Sequence, residues 1–138
     1  MPRKQGKKVP KRVVVLLWFW TPVIFWMTII FSLSSLPSSG VPFIDIPNID
    51  KFFHCVEYFI LGALLVRAFW NSALNPNYKY ILAASILIAA IYGASDEFHQ
   101  LFTPERSCEF FDFLADVIGS GIGAGLYSYK ERISTCRR

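Results

Sequence analysis

Charge is scarce over long stretches of this 138-residue chain, and the shortage excludes an ordinary soluble fold. Only 17% of its residues are Asp, Glu, Lys or Arg, while 54% are hydrophobic and 17% aromatic, which is too apolar for a water-exposed domain of this length. Cysteine is sparse as well. Cys55, Cys108 and Cys136 form no CxxC pair, so the spacing offers neither a zinc ribbon nor thioredoxin-like chemistry. They read first as free thiols, with a Cys55–Cys108 disulfide left open because both fall toward the same side of the chain's expected topology. A phosphate-binding glycine loop, a nucleophile elbow and an HExxH helix are all missing, and with them the commonest signatures of nucleotide, acyl-transfer and zinc-protease chemistry. The net charge of +4 does not point to nucleic acid. Lys and Arg crowd the two ends, as expected of segments held beside an anionic membrane leaflet.

What the chain has instead is four apolar runs. The first, Val13 to Leu33, follows a head carrying Arg3, Lys4, Lys7, Lys8, Lys11 and Arg12, and at about 1.5 Å per residue it spans roughly 30 Å. A cleaved signal peptide is the rival reading, but the run is too long for one and lacks an A-x-A site. Pro22 is expected to kink this helix. The segment Leu36 to Ile49, with Pro37, Gly40, Pro42 and Pro47, reads as a loop. Further spans are expected from about Lys51 to Trp70, from Tyr80 to about Gln100 and from Phe110 to about Tyr129. A turn containing Asn75 and Pro76 joins the second span to the third. The expected fold is an all-α membrane bundle of four transmembrane helices: 1–12 a basic cytoplasmic segment, 13–129 the bundle, 130–138 a basic cytoplasmic tail.

Orientation follows from counting cations in short loops. With the N-terminus in the cytoplasm, twelve of the fourteen Lys and Arg residues fall inside, and only Lys51 and Arg106 outside. The acids are just as uneven. Asp45, Asp50, Glu57, Asp96, Glu97, Glu105, Glu109, Asp112 and Asp116 all fall in the outer half, together with His54 and His99, and only Glu131 lies inside.

These outer residues recur with helical spacing. Asp50, His54 and Glu57 stand at offsets 0, 4 and 7, bordered by Tyr58 and Leu61. Tyr92, Asp96 and His99 repeat the offsets, with Gln100 beside them, and so do Asp112, Asp116 and Gly119. Such spacing puts each set on one stripe of its helix. A charge about two turns into the apolar layer costs on the order of 3 kcal/mol and usually faces the bundle interior, so the stripes are expected to converge on a pocket open to the outside. The blander reading is that they tie helix ends together by hydrogen bonds. The carboxylates outnumber the cations, however, so some are protonated, or the site holds a proton, a metal or a cationic part of a ligand.

His54-x-x-Glu57 and Asp96-x-x-His99 make His54, Glu57, Asp96 and His99 the metal candidates, with a divalent cation the one cofactor to consider. Arg106 suits bidentate capture of a phosphate or carboxylate; its plain alternative is a salt bridge to Asp112 or Glu109. Gly119-x-x-x-Gly123 and Gly121-x-x-x-Gly125 allow close helix approach, expected inside this bundle. Trp18, Trp20, Trp26 and Trp70 read as lipid-facing or interfacial.

Three strings carry a family resemblance: Asp50-Lys51-x-x-His54-x-x-Glu57-Tyr58-x-x-Leu61-Gly62; Asp96-Glu97-x-His99-Gln100-x-Phe102-x-Pro104-x-Arg106-Ser107; and Asp112-x-x-Ala115-Asp116-x-x-Gly119. With Ser34-Ser35-Leu36-Pro37, they resemble the VanZ-like family over almost the whole chain. Two residues depart from its pattern: Glu105 stands where a glycine is usual, and Asp116 where an asparagine is frequent. The resemblance implies a multi-pass bacterial cell-membrane protein, from a family whose named member is linked to low-level teicoplanin resistance, and it brings no established reaction. Three function classes remain: an accessory protein binding a lipid-linked or anionic envelope component, an enzyme acting on such a lipid through histidine, carboxylate or metal, and a proton- or cation-coupled transporter. The last is disfavoured by polar residues confined to one half.

Overall fold

The computed structural model describes residues 11–37, 49–73 and 77–136. The basic head 1–10, most of the proline-containing loop, the Asn75–Pro76 turn and Arg137–Arg138 lie outside the described residues. Four helices follow in order: α1 (Lys11–Ser34), α2 (Ile49–Ser72), α3 (Tyr78–Gln100) and α4 (Phe110–Cys136). Each has a stretch long and apolar enough to cross a bilayer. The spans match those expected from hydropathy, with α4 running several residues past Tyr129. α1 continues as one helix through Pro22.

The outer surfaces are apolar, as lipid contact requires. Trp18, Phe25, Leu87, Ile91 and Leu126 are all exposed. Inside, α2 and α4 make the most extensive contact, and glycine sets their distance. A Cβ at Gly119 would run into the Cys55 carbonyl, one at Gly123 into the Phe59 carbonyl, and one at Gly62 into that of Ser120. Gly119 and Gly123 therefore pack within the bundle, as expected from the small-residue spacing. Gly121 and Gly125 do not, for a Cβ there meets nothing within 4 Å.

α1 is attached differently. Trp20 Nε1 donates to Ser72 Oγ at 3.1 Å, and Trp26 Nε1 donates to the Glu57 carbonyl at 2.9 Å. Both rings pack on the core around Val23, Ile30, Leu61 and Leu65. Trp20 and Trp26 are thus half-buried, with their N–H groups turned inward rather than wholly toward lipid, because an indole N–H in an apolar setting gains most where an acceptor is at hand. Trp18, 70% exposed, keeps the expected position. Trp70 is half-buried against a second core patch containing Val66 and Ala124.

Candidate functional site

The buried ionisable side chains collect at one end of the bundle, where α2 begins, α3 ends and α4 begins. His54, Asp96, Glu97, Asp112 and Asp116 are buried there, together with Gln100 and Thr103. Helical spacing on α2 directs His54 toward α4, and His54 Nδ1 lies 2.9 Å from Asp116 Oδ1. An ionised carboxylate can only accept, so the imidazole carries the proton of that bond. Glu97 approaches from α3, with Oε1 4.0 Å from the same nitrogen. Its other oxygen, Oε2, accepts the Glu109 backbone N–H at 2.9 Å, which pins the start of α4 to the end of α3.

Beside this group, Lys51 is a fixed internal cation. Its ammonium donates to Asp50 Oδ2 and to Glu109 Oε2, each at 2.9 Å, and forms an ion pair with Asp112 Oδ1 at 3.1 Å. The ammonium, helped by the Ser107 hydroxyl, holds the Glu109 carboxyl below its usual range. The salt bridges from Asp112 and Glu109 that the sequence offered to Arg106 thus go to Lys51. Arg106 instead donates from Nε to the Leu36 carbonyl at 3.1 Å, and its charge acts on Glu57.

The segment after α1 forms the rim. Ser35 Oγ donates its single hydrogen to the Phe31 carbonyl at 2.7 Å, so its 3.0 Å contact with His99 Nε2 has the imidazole as donor. His99 also stacks at a tilt on Phe31. It is thereby engaged with the α1 end, while still acting electrostatically on Asp96. Asp96 has Ser34 and Gln100 beside it. Glu57 is half-buried among the fields of His54, Asp96 and Asp116. Tyr58 is fully buried and its ring centroid lies 6.3 Å from that of Tyr92, whose hydroxyl ties α3 to the Met27 carbonyl at 2.7 Å.

The four metal candidates read from helical offsets are thus spread across the cluster. The residues able to offer ligand atoms within 4.8 Å of one another are His54, Glu97 and Asp116, with Asp50, Glu109 and Asp112 as a second set. Periodicity on single helices favoured pairs three residues apart, whereas these sets are made between helices. Gly93 escaped notice altogether. A Cβ there would stand 2.8 Å from Asp116 Oδ2, so its missing side chain is what admits the Asp116 carboxylate between α3 and α4; a glycine inside an otherwise helix-forming span was the available signal.

Cys55 and Cys108 are free thiols. Local desolvation and the neighbouring Glu97 push the Cys108 thiol up. Glu105 has φ 61°, in the left-handed region that costs a side-chain-bearing residue about 1–2 kcal/mol. The glycine usual at this place in the resembling family has a physical reason.

Four lipid-compatible helices around a one-ended polar cluster define a multi-pass membrane protein. The family model described as VanZ/LLP1 matches residues 9–131, and the chain belongs to that family. No curated protein and no solved structure matches the chain.

Proposed function

We propose that this protein is an accessory binding protein of a bacterial cell envelope, with both termini cytoplasmic and the polar cluster turned outward to receive the headgroup of a lipid-linked envelope component. One observation carries the reading. Asp96 Oδ1, Glu97 Oε1 and Asp116 Oδ2 are buried carboxylate oxygens with no hydrogen-bond partner among the described residues. Such oxygens are costly unless something donates to them, and hydroxyl or amino groups of a headgroup are suitable donors. Arg106, half-buried at the rim with its Nε on the Leu36 carbonyl, supplies the complementary grip on a phosphate. A role in glycopeptide resistance fits this reading through sequestration or exposure of such a lipid.

The second reading is an enzyme on the same substrate class, with His54 as general base oriented by Asp116; the 2.9 Å contact favours it. The probe that separates the two is a polyprenyl phosphate added to the full chain in nanodiscs and followed by native mass spectrometry. The binding reading expects saturable retention of the unchanged lipid in preference to phosphatidylcholine. Arg106→Lys is expected to weaken retention about tenfold, since an ammonium cannot make the bidentate contact. Equal retention of both lipids would sink the binding reading, and a change in the mass of the phosphate lipid would replace it with the enzymatic one. Orientation has its own check: a membrane-impermeant maleimide is expected to label Cys108 in intact cells, and labelling only after permeabilisation would invert the topology.

A further inference from the structure

Lys51 balances only part of the negative charge in the cluster, the Asp50, Glu109 and Asp112 set. The deeper set has no such lysine. There Glu97 and Asp116 are 3% and 0% exposed, and each presents one oxygen, Glu97 Oε1 and Asp116 Oδ2, that finds no hydrogen-bond partner among the described residues. His54 is buried between them. We propose that His54, Glu97 and Asp116 bind one divalent transition-metal ion.

Geometry and donor chemistry both support the assignment. The three residues come from α2, α3 and α4, and each can offer a ligand atom within 4.8 Å of the other two. Metal–ligand bonds of 2.0–2.2 Å in a tetrahedral shell set ligand atoms about 3.4 Å apart. His54 Nδ1 lies 2.9 Å from Asp116 Oδ1 and 4.0 Å from Glu97 Oε1, each about half an ångström from that spacing, and the Glu97 and Asp116 ligand atoms lie within 4.8 Å of each other. The ion takes the place of the proton that His54 shares with Asp116, as metal ligands bind deprotonated. Two carboxylates match its double charge. An imidazole nitrogen with only two carboxylates suits zinc, manganese or ferrous iron better than magnesium or calcium, which take six or more oxygens.

The surroundings are built to hold these ligands. Glu97 Oε2 is fixed by the Glu109 N–H, and Gly93 leaves the room that Asp116 occupies; such outer contacts orient ligands in metal sites. Three protein ligands leave a fourth position open. This deepens the headgroup reading and rests on it for the ion's role: with the ion held by Glu97 and Asp116, Asp96 Oδ1 is left to a headgroup donor and the open position would take a phosphate or hydroxyl oxygen, while metal uptake itself is measured with no such lipid present.

The test uses the full chain in phosphatidylcholine nanodiscs, stripped with chelator, given Zn²⁺ and freed of unbound metal. Elemental analysis is expected to find one zinc per chain, and the unfolding temperature to rise on loading. Glu97→Gln and Asp116→Asn are each expected to weaken zinc binding by at least about tenfold, while Cys108→Ser keeps it. Should a carboxylate variant fail to fold, Co²⁺ in the wild-type chain gives the second measurement: a visible spectrum of nitrogen and oxygen ligands with no thiolate charge-transfer band. Substoichiometric zinc, zinc retained in both carboxylate variants, zinc lost in Cys108→Ser, or a thiolate band would each overturn the assignment. Zinc binding without retention of the polyprenyl phosphate would keep the metal site and remove the headgroup reading; the reverse result would remove the metal alone.

Discussion

Gly123→Ala is expected to destabilise the bundle by about 3 kcal/mol, the upper end for inserting a methyl group into a packed interior, and to leave little folded protein after extraction into detergent. The methyl would meet the Phe59 carbonyl. A backbone atom cannot swing aside as a side-chain tip can, so α2 and α4 must separate along their principal contact. Gly121→Ala is the matched comparison on the same helix. Its Cβ meets nothing, and alanine is the better helix former by about 1 kcal/mol. Unfolding in a denaturing detergent titration should therefore come early in the first variant and unchanged or late in the second. Equal midpoints would show that the α2–α4 distance is not set at this glycine.

The second large effect belongs to Lys51→Met. Removing the ammonium strands the carboxylate of Asp112, whose side chain is 7% exposed, beside the half-exposed Asp50 and Glu109. Breaking a fully buried pair costs about 3–5 kcal/mol, and partial exposure of two partners lowers the expectation to about 2 kcal/mol. The loss should depend on pH with a definite sign. Lys51 holds the Glu109 carboxyl below its ordinary range, so this part of the stability is complete above the ordinary glutamate range and fades as pH falls through the lowered one. Unfolding midpoints of wild type and Lys51→Met should differ at neutral pH and converge on acidification. A gap that stays constant into the acid range would rule out the Lys51–Glu109 contact as its source.

The membrane fold was legible because hydropathy depends on composition over some twenty residues, and side-chain detail hardly alters it. The polar stripes were legible for the same reason: offsets of 0, 4 and 7 within one helix fix a face. Which stripe residues touch could not be read this way. His54 meets Asp116 and Glu97, and Lys51 meets Glu109 and Asp112, through relative rotation of α2, α3 and α4, which depends on the glycine contacts between them. The inward bonds of Trp20 and Trp26 were illegible for a related cause. An indole has the same amphipathic character at a lipid interface and beside a buried carbonyl, and only the register of α1 against α2 separates the two.

Confinement of the polar cluster to one end also fixes how the protein stands in the membrane's electric field. Beyond His54 and Asp116 the interior continues mainly as Leu61, Leu65, Val66, Ala68 and Ala89, with the small hydroxyls of Ser85, Ser120 and Ser128 as its buried polar groups and no buried charge among the described residues. A charge taken up about two turns deep, roughly a third of the way into the hydrocarbon layer, crosses about a third of the voltage drop, or roughly 0.8 kcal/mol per 100 mV. On the proposed outward-facing binding role, occupancy would follow concentration on the outer side and only faintly follow the potential.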